Sequence, residues 1–172
     1  MVEVYDKDIY ICPHRRGRRR HSADSFSTAQ PCGTVGSLAA NADNKVLIAK
    51  EGGIGRLLAA LDKHAEHAGV VERACGAVGN LAVNDDNNKV LIAKEGGIKR
   101  LLAALDNHAK HAGVVEQACG ALCSIGWSDK ALQKSIKDAG AVKLVRAAVG
   151  RSNASSNTRK WGQRLLGKLA QL

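Results

Sequence analysis

Two pairs of histidines carry the clearest spacing for chemistry: His64 with His67, and His108 with His111. Neutral imidazoles at i and i+3 can share a zinc ion, and two such pairs from adjacent elements would supply four ligands. The cysteines, Cys12, Cys32, Cys75, Cys119 and Cys123, form no Cys-x-x-Cys pair of the kind that zinc or redox sites use. No serine sits in a nucleophile-elbow motif. The double glycines Gly52-Gly53 and Gly96-Gly97 interrupt helical patterns and do not follow a strand, so they do not form a phosphate loop. Carboxylates fall mostly at helix ends, where they favour the dipole or solvent. Arg15, Arg16, Arg18, Arg19 and Arg20 form a compact basic cluster that could act as a nuclear import signal or neutralise phosphates. Ser22 follows that cluster as a target for a basophilic kinase would. A phosphate there would add about −1.5 to −2 charge.

Most of these groups lie inside a repeat, which changes what they mean. Lys45–Val83 recurs 44 positions later as Lys89–Trp127, with 29 of 39 positions identical, and seven of the ten differences lie in the final third. The second histidine pair is then a copy because everything around it is a copy, and neither a metal site nor a cofactor is expected. Cys32, Cys75 and Cys119 share one repeat position. Neighbouring repeats stack roughly 8–10 Å apart, beyond the ~7 Å Cα separation a disulfide tolerates, so buried, reduced thiols are expected. An intracellular location follows: cytoplasmic, and nuclear if the arginine cluster is an import signal.

The repeat divides into three helical pieces. A short helix from about residue 44, with Asp43 or Asn44 as N-cap, stops at Gly52-Gly53. A second carries Ile54, Leu57, Leu58 and Leu61 on one stripe. A third, over about residues 69–83, has an apolar stripe wide enough for a helix sandwiched in a stack. A period near 44 built this way marks a helical solenoid.

Phasing the rest of the chain on this ruler gives residues 31–42 as the back half of a preceding third helix. Residues 43–86 and 87–130 are full repeats, and 131–172 is a degenerate capping repeat. Residues 1–30 read as a disordered basic tail. The core must be aliphatic, because Trp127 and Trp161 are the only aromatics from Pro31 onward. The net charge of +10 is uneven: residues 130–172 hold ten Lys/Arg against Asp138 alone. No run approaches the ~18 apolar residues of a membrane span.

The three-helix pattern, with Asn44, Ile48, Gly53, Ile54, Leu57, Leu58, Ala74 and Val78-Gly-Asn-Leu-Ala82 and their counterparts 44 later, resembles the armadillo repeat. The resemblance implies an all-α, right-handed superhelical solenoid whose third helices line a groove for an extended partner segment. It also implies that an asparagine near the end of the third helix bonds the partner's backbone. Asn80 matches it, whereas Ser37, Ser124 and Lys168 stand at the equivalent positions. The tryptophans that cradle lysines in importin-α-like members are replaced by Gly33, Gly76, Gly120 and Arg164.

Three columns should therefore line the groove: Arg73, Gln117, Trp161; then Gly76, Gly120, Arg164; then Asn80, Ser124, Lys168. Glycine should give a shallow floor, and the basic end should favour an acidic segment, extended or helical. The expectation is a non-enzymatic protein-binding module or scaffold. A structural fragment of a larger array is the alternative. A binder of nucleic acid or an anionic surface through the basic segments is less favoured. Oligomeric state is not encoded in these patterns.

Overall fold

The fold, obtained as a computed structural model that describes residues 23–172, contains ten α-helices and no strand among the described residues. In order they are α1 (Ala23–Leu38), α2 (Ala42–Lys50), α3 (Gly53–Lys63), α4 (Ala68–Ala82) and α5 (Asp86–Lys94). There follow α6 (Gly97–Asn107), α7 (Ala112–Ile125), α8 (Lys130–Asp138), α9 (Ala141–Val149) and α10 (Ser156–Leu169). Three-helix units α2–α4, α5–α7 and α8–α10 stack in series, and the third helices α1, α4, α7 and α10 pack each on the next. None of the described helices is long and apolar enough to cross a membrane.

Local signals explain the helix ends. Asn41 and Asp85 cap α2 and α5 by accepting the amides of Asn44 and Asn88 at 3.1 and 3.0 Å. Asp129 caps α8 through the amides of Ala131 and Leu132. Asp43 and Asn44, expected as caps, instead lie inside α2. The Asn44 amide donates to Leu38 O, as Asn88 does to Leu81 O and Gln133 to Gly126 O. Each of these side chains satisfies a carbonyl at the end of the preceding third helix, which has no intrahelical partner. Gly52, Gly96 and Gly140 take φ of 71, 79 and 87° between first and second helices. A left-handed conformation there costs a residue with a Cβ about 1–2 kcal/mol.

α1 begins at Ala23, eight residues before the start expected from Pro31, and Pro31 lies inside it. Proline there removes one i→i−4 bond. The packing of α1 against α4 offsets that loss, so a helix boundary read from proline alone falls too late. The arginine cluster at residues 15–20, Ser22 and Cys12 lie outside the described residues.

The stack depends on close approach between third helices. A Cβ built on Gly36 would lie 3.3 Å from Ala77 Cα, and one on Gly79 would lie 3.3 Å from Ala121 Cα. Around these contacts Val78, Leu81, Leu122, Ile125 and Leu165 are fully buried. Polar rungs join the units outside the core. Arg100 Nε bonds Asp62 Oδ2 at 2.8 Å, and His108 Nε2 bonds Ala65 O at 2.5 Å. Arg151 bonds Ala109 O in the same way one repeat on. The second histidine pair is thus structurally engaged: His108 ties two repeats and His111 Nδ1 caps α7 by accepting Val114 N at 3.4 Å. No group of three or more potential metal ligands occurs among the described residues.

Cys32, Cys75, Cys119 and Cys123 are free and buried. Burial pushes the Cys75 thiol far above its ordinary range, with Glu72 adding to the shift, and pushes Cys119 to about 12.

Three outcomes follow. Gly79→Leu should lose about 2 kcal/mol or more in urea unfolding through overpacking. Gly69→Ala, in open space within α4, should gain about 0.5–1 kcal/mol. The four buried thiols should also stay silent to DTNB at pH 8 in the native protein and react fully in guanidinium.

Candidate binding groove

The third helices place their exposed-edge residues in register across the stack. Helix spacing sets Trp161, Arg164 and Lys168 of α10 on one face. The N-terminus of α10 is pinned on α7: Glu116 accepts from Ser155 Oγ at 2.6 Å and from Asn157 Nδ2 at 3.1 Å. Gly162 lets α10 lie against α9, since a Cβ there would fall 2.3 Å from Val149 Cγ2.

A pocket of about 110 Å³ opens between α4, α7 and α10, lined by Gly76, Gln117, Gly120, Ser124, Trp161 and Arg164 together with Trp127 and Lys89. The Arg164 guanidinium carbon stands 5.2 Å from the Trp161 ring centroid and 5.9 Å from that of Trp127. Lys168 Nζ lies 4.7 Å from Trp127, and Lys160 Nζ 5.0 Å from Trp161. Each contact contributes about 0.5–1 kcal/mol where solvent reaches it. Together they hold three cations against two indoles. Cys123, at the pocket floor, feels two of them: burial raises its thiol to about 11, and Arg164 and Lys168 pull against that rise.

Lys89 contributes structure more than charge. It is 4% exposed, and its Nζ is held by Asp86 Oδ1 at 2.7 Å and Ser128 Oγ at 3.1 Å. Its hydrogen bond and charge hold the Asp86 carboxyl below the usual range. Lys45 bonds Val83 O one repeat earlier, and burial lowers its pKa.

Of the residues expected to line the groove, Gln117, Ser124, Trp161 and Arg164 come together at this pocket, and Lys168 reaches over Trp127 beside them. Arg73 and Asn80 belong to the other end. Arg73 Nη1 lies over Gly33, 2.8 Å from where a Cβ would stand. Asn80 Nδ2 donates to Gly36 O at 2.9 Å, so this amide hydrogen serves the stack where the resemblance implied a partner's backbone. The glycine floor is also less open than expected. Gln117 Oε1 covers Gly76 as Arg73 covers Gly33, because a side chain from the next helix steps into each gap.

Sequence reasoning missed Trp127 and Lys160 as groove residues. The signal for Trp127 was the final difference between the copies, Val83 against Trp127. The tryptophan belongs to the irregular segment after α7, beyond the helical columns.

An armadillo/β-catenin-like repeat model matches residues 41–83 and 85–126. Protein aardvark of Dictyostelium discoideum is 48% identical over 46 residues, which is 27% of this chain and 6% of aardvark. Among solved structures, an engineered protein superposes with a TM-score of 0.79 at 20% identity, covering 87% of this chain and 60% of its own. The designed armadillo repeat protein YIII(Dq)4CqI gives 0.74 at 20% identity over 83% and 58%. Another design, YIII(Dq.V1)4CPAF in complex with the peptide (KR)4, gives 0.71 at 18% identity over 88% and 66%. The chain thus spans less than two thirds of each of these relatives. With two matched repeats inside a stack that superposes on designed armadillo proteins, the chain belongs to the armadillo-repeat family.

Proposed function

We propose that the chain is a non-enzymatic binding module. Its groove of third helices takes an extended or helical protein segment that is acidic where it meets residues 159–168. The armadillo fold is commonly a protein-binding scaffold. The observation that carries the finer reading is the gathering of Lys160, Arg164 and Lys168 on Trp127 and Trp161 at one end of the groove. A cluster of three cations therefore favours a carboxylate partner and repels a basic one. One designed relative of the same fold holds (KR)4; the cations of α10 argue here for a segment of opposite sign. In this reading Ser124 offers a polar contact mid-groove, Gln117 lies buried at the pocket wall over Gly76, and Arg73 and Asn80 mark the far end.

The reading places the protein inside the cell, in keeping with its buried free thiols, and in the nucleus if the arginine cluster serves import. Nucleic acid is not favoured, because the groove's cations cluster at Trp127 and Trp161, with Arg73 apart at the far end, and do not run along it as a stripe.

A second reading, a stretch of a longer armadillo array, has one observation in its favour. Leu38, Val46 and Leu47 are 49, 63 and 56% exposed on the edge of the stack formed by α1 and α2. ANS fluorescence that falls in a Val46→Lys, Leu47→Lys variant would mark that edge as open for a further repeat. Unchanged ANS binding would count against it.

Trp127 and Trp161 are the only tryptophans, so their emission reports on the groove. Titration with an acidic peptide such as (Glu)8 should shift that emission. Arg164→Glu with Lys168→Glu should weaken the binding at least tenfold, whereas Lys99→Glu on α6 should not. Equal affinity for all three proteins would overturn the acidic-segment reading.

A further inference from the structure

We propose that Arg164 is a built-in occupant of the aromatic slot between Trp127 and Trp161, and that by filling it Arg164 sets the charge preference of the groove. The inference rests on the groove being a segment-binding surface. It adds which residue decides the sign of the segment.

Two indoles bordering one pocket form a receptor for a lysine or arginine side chain, because their faces attract cations. In this chain the receptor is already satisfied from within. The Arg164 guanidinium lies within 6 Å of both ring centroids, at 5.2 and 5.9 Å. Lys160 and Lys168 add a second cation to each ring, at 5.0 and 4.7 Å. A partner's cation would have to displace Arg164 and also enter the field of two lysines.

The column in which Arg164 stands makes this a property of one residue. Its counterparts on α1, α4 and α7 are Gly33, Gly76 and Gly120. Glycine at this position would leave the slot between the two tryptophans open to a partner. Arginine closes it to cations while presenting something to anions. Stacking engages the faces of a guanidinium, whereas a carboxylate is gripped by its in-plane N–H fork, so one arginine can serve both contacts. Arg164 lines the same pocket as Gly120 and Ser124, the recess into which a partner's side chain would enter.

The test compares wild type with Arg164→Ala in titrations with (Lys-Arg)4 and with (Glu)8, followed by tryptophan fluorescence and calorimetry at low salt. Arg164→Gln, which keeps the side-chain stem, replaces the alanine variant if circular dichroism shows the latter unfolded. Wild type should take (Glu)8 and not (Lys-Arg)4. Removing the guanidinium should strengthen (Lys-Arg)4 binding at least tenfold and weaken (Glu)8 binding. Loss of (Glu)8 affinity with no gain for (Lys-Arg)4 would overturn the slot-filling role while leaving the acidic groove in place. A gain for (Lys-Arg)4 in a protein whose wild type ignores (Glu)8 would uphold the role of Arg164 and remove the acidic-partner reading. If no folded form binds either peptide, both fall.

Discussion

The approach of one third helix to the next is the constraint on which the rest of this structure depends. With Gly36 against Ala77 and Gly79 against Ala121, backbones meet so closely that a Cβ at the glycine would stand 3.3 Å from the neighbouring Cα, tighter than side chains ordinarily pack. Helices that close cannot bury large side chains between their axes, so the bulk moves to either side. Toward the first and second helices it becomes the aliphatic core of Leu81, Leu122 and Leu165. On the opposite side each edge residue steps over the gap left by the preceding helix, as Arg73 does over Gly33 and Gln117 over Gly76. The groove lining is therefore a consequence of the stacking distance. A change at the small-residue contact would be felt in the groove as well as in the core.

The sequence made the repeat and the three-helix unit plain because both arise from short-range, periodic constraints. Ile54, Leu57, Leu58 and Leu61 can bury together only on a helix, and Gly96 at φ 79° answers a local steric need. What escaped notice depended on packing between units. The extent of α1 was hidden because proline is a local stop signal, and only contact with α4 carries the helix through Pro31. The N-caps fell a few residues earlier than expected, because Asn44 and Asn88 are drawn to the carbonyls of Leu38 and Leu81. Trp127 was hidden for a related reason: it joins Trp161, 34 positions away in the chain, through the side chain of Arg164 on another helix.

The third unit meets the same structural demands with different residues, which separates demand from inheritance. Gln133 stands where its counterpart is Lys89, yet it bonds Gly126 O much as Asn88 bonds Leu81 O. Arg151 reaches Ala109 O as His108 reaches Ala65 O. Ala141 occupies the site where Gly97 precedes Ile98, fully buried and in a helical conformation. The rungs that tie unit to unit therefore persist although the letters differ. The histidine in the copied pair holds its place because a donor is needed there, and arginine serves equally well.

That distinction bears on how the basic end should be read. A terminal unit needs a soluble outer face, and charge anywhere on that face would meet the need. Solubility alone would leave cations spread over the unit, as Lys130 and Lys137 are on α8 and Lys143 and Arg146 on α9. Arg164 and Lys168 instead reach Trp127 just after α7, and Lys160 lies over Trp161 of its own helix, beside a pocket that reaches back to Gly76. Like charges brought to one recess repel to a degree set by their separation and by the solvent between them, and the indole contacts work against that repulsion. An arrangement that concentrates repulsion at a recess gains most when an anion arrives to relieve it. The placement of the charge, more than its amount, is what supports the proposal of a binding surface over that of a soluble cap.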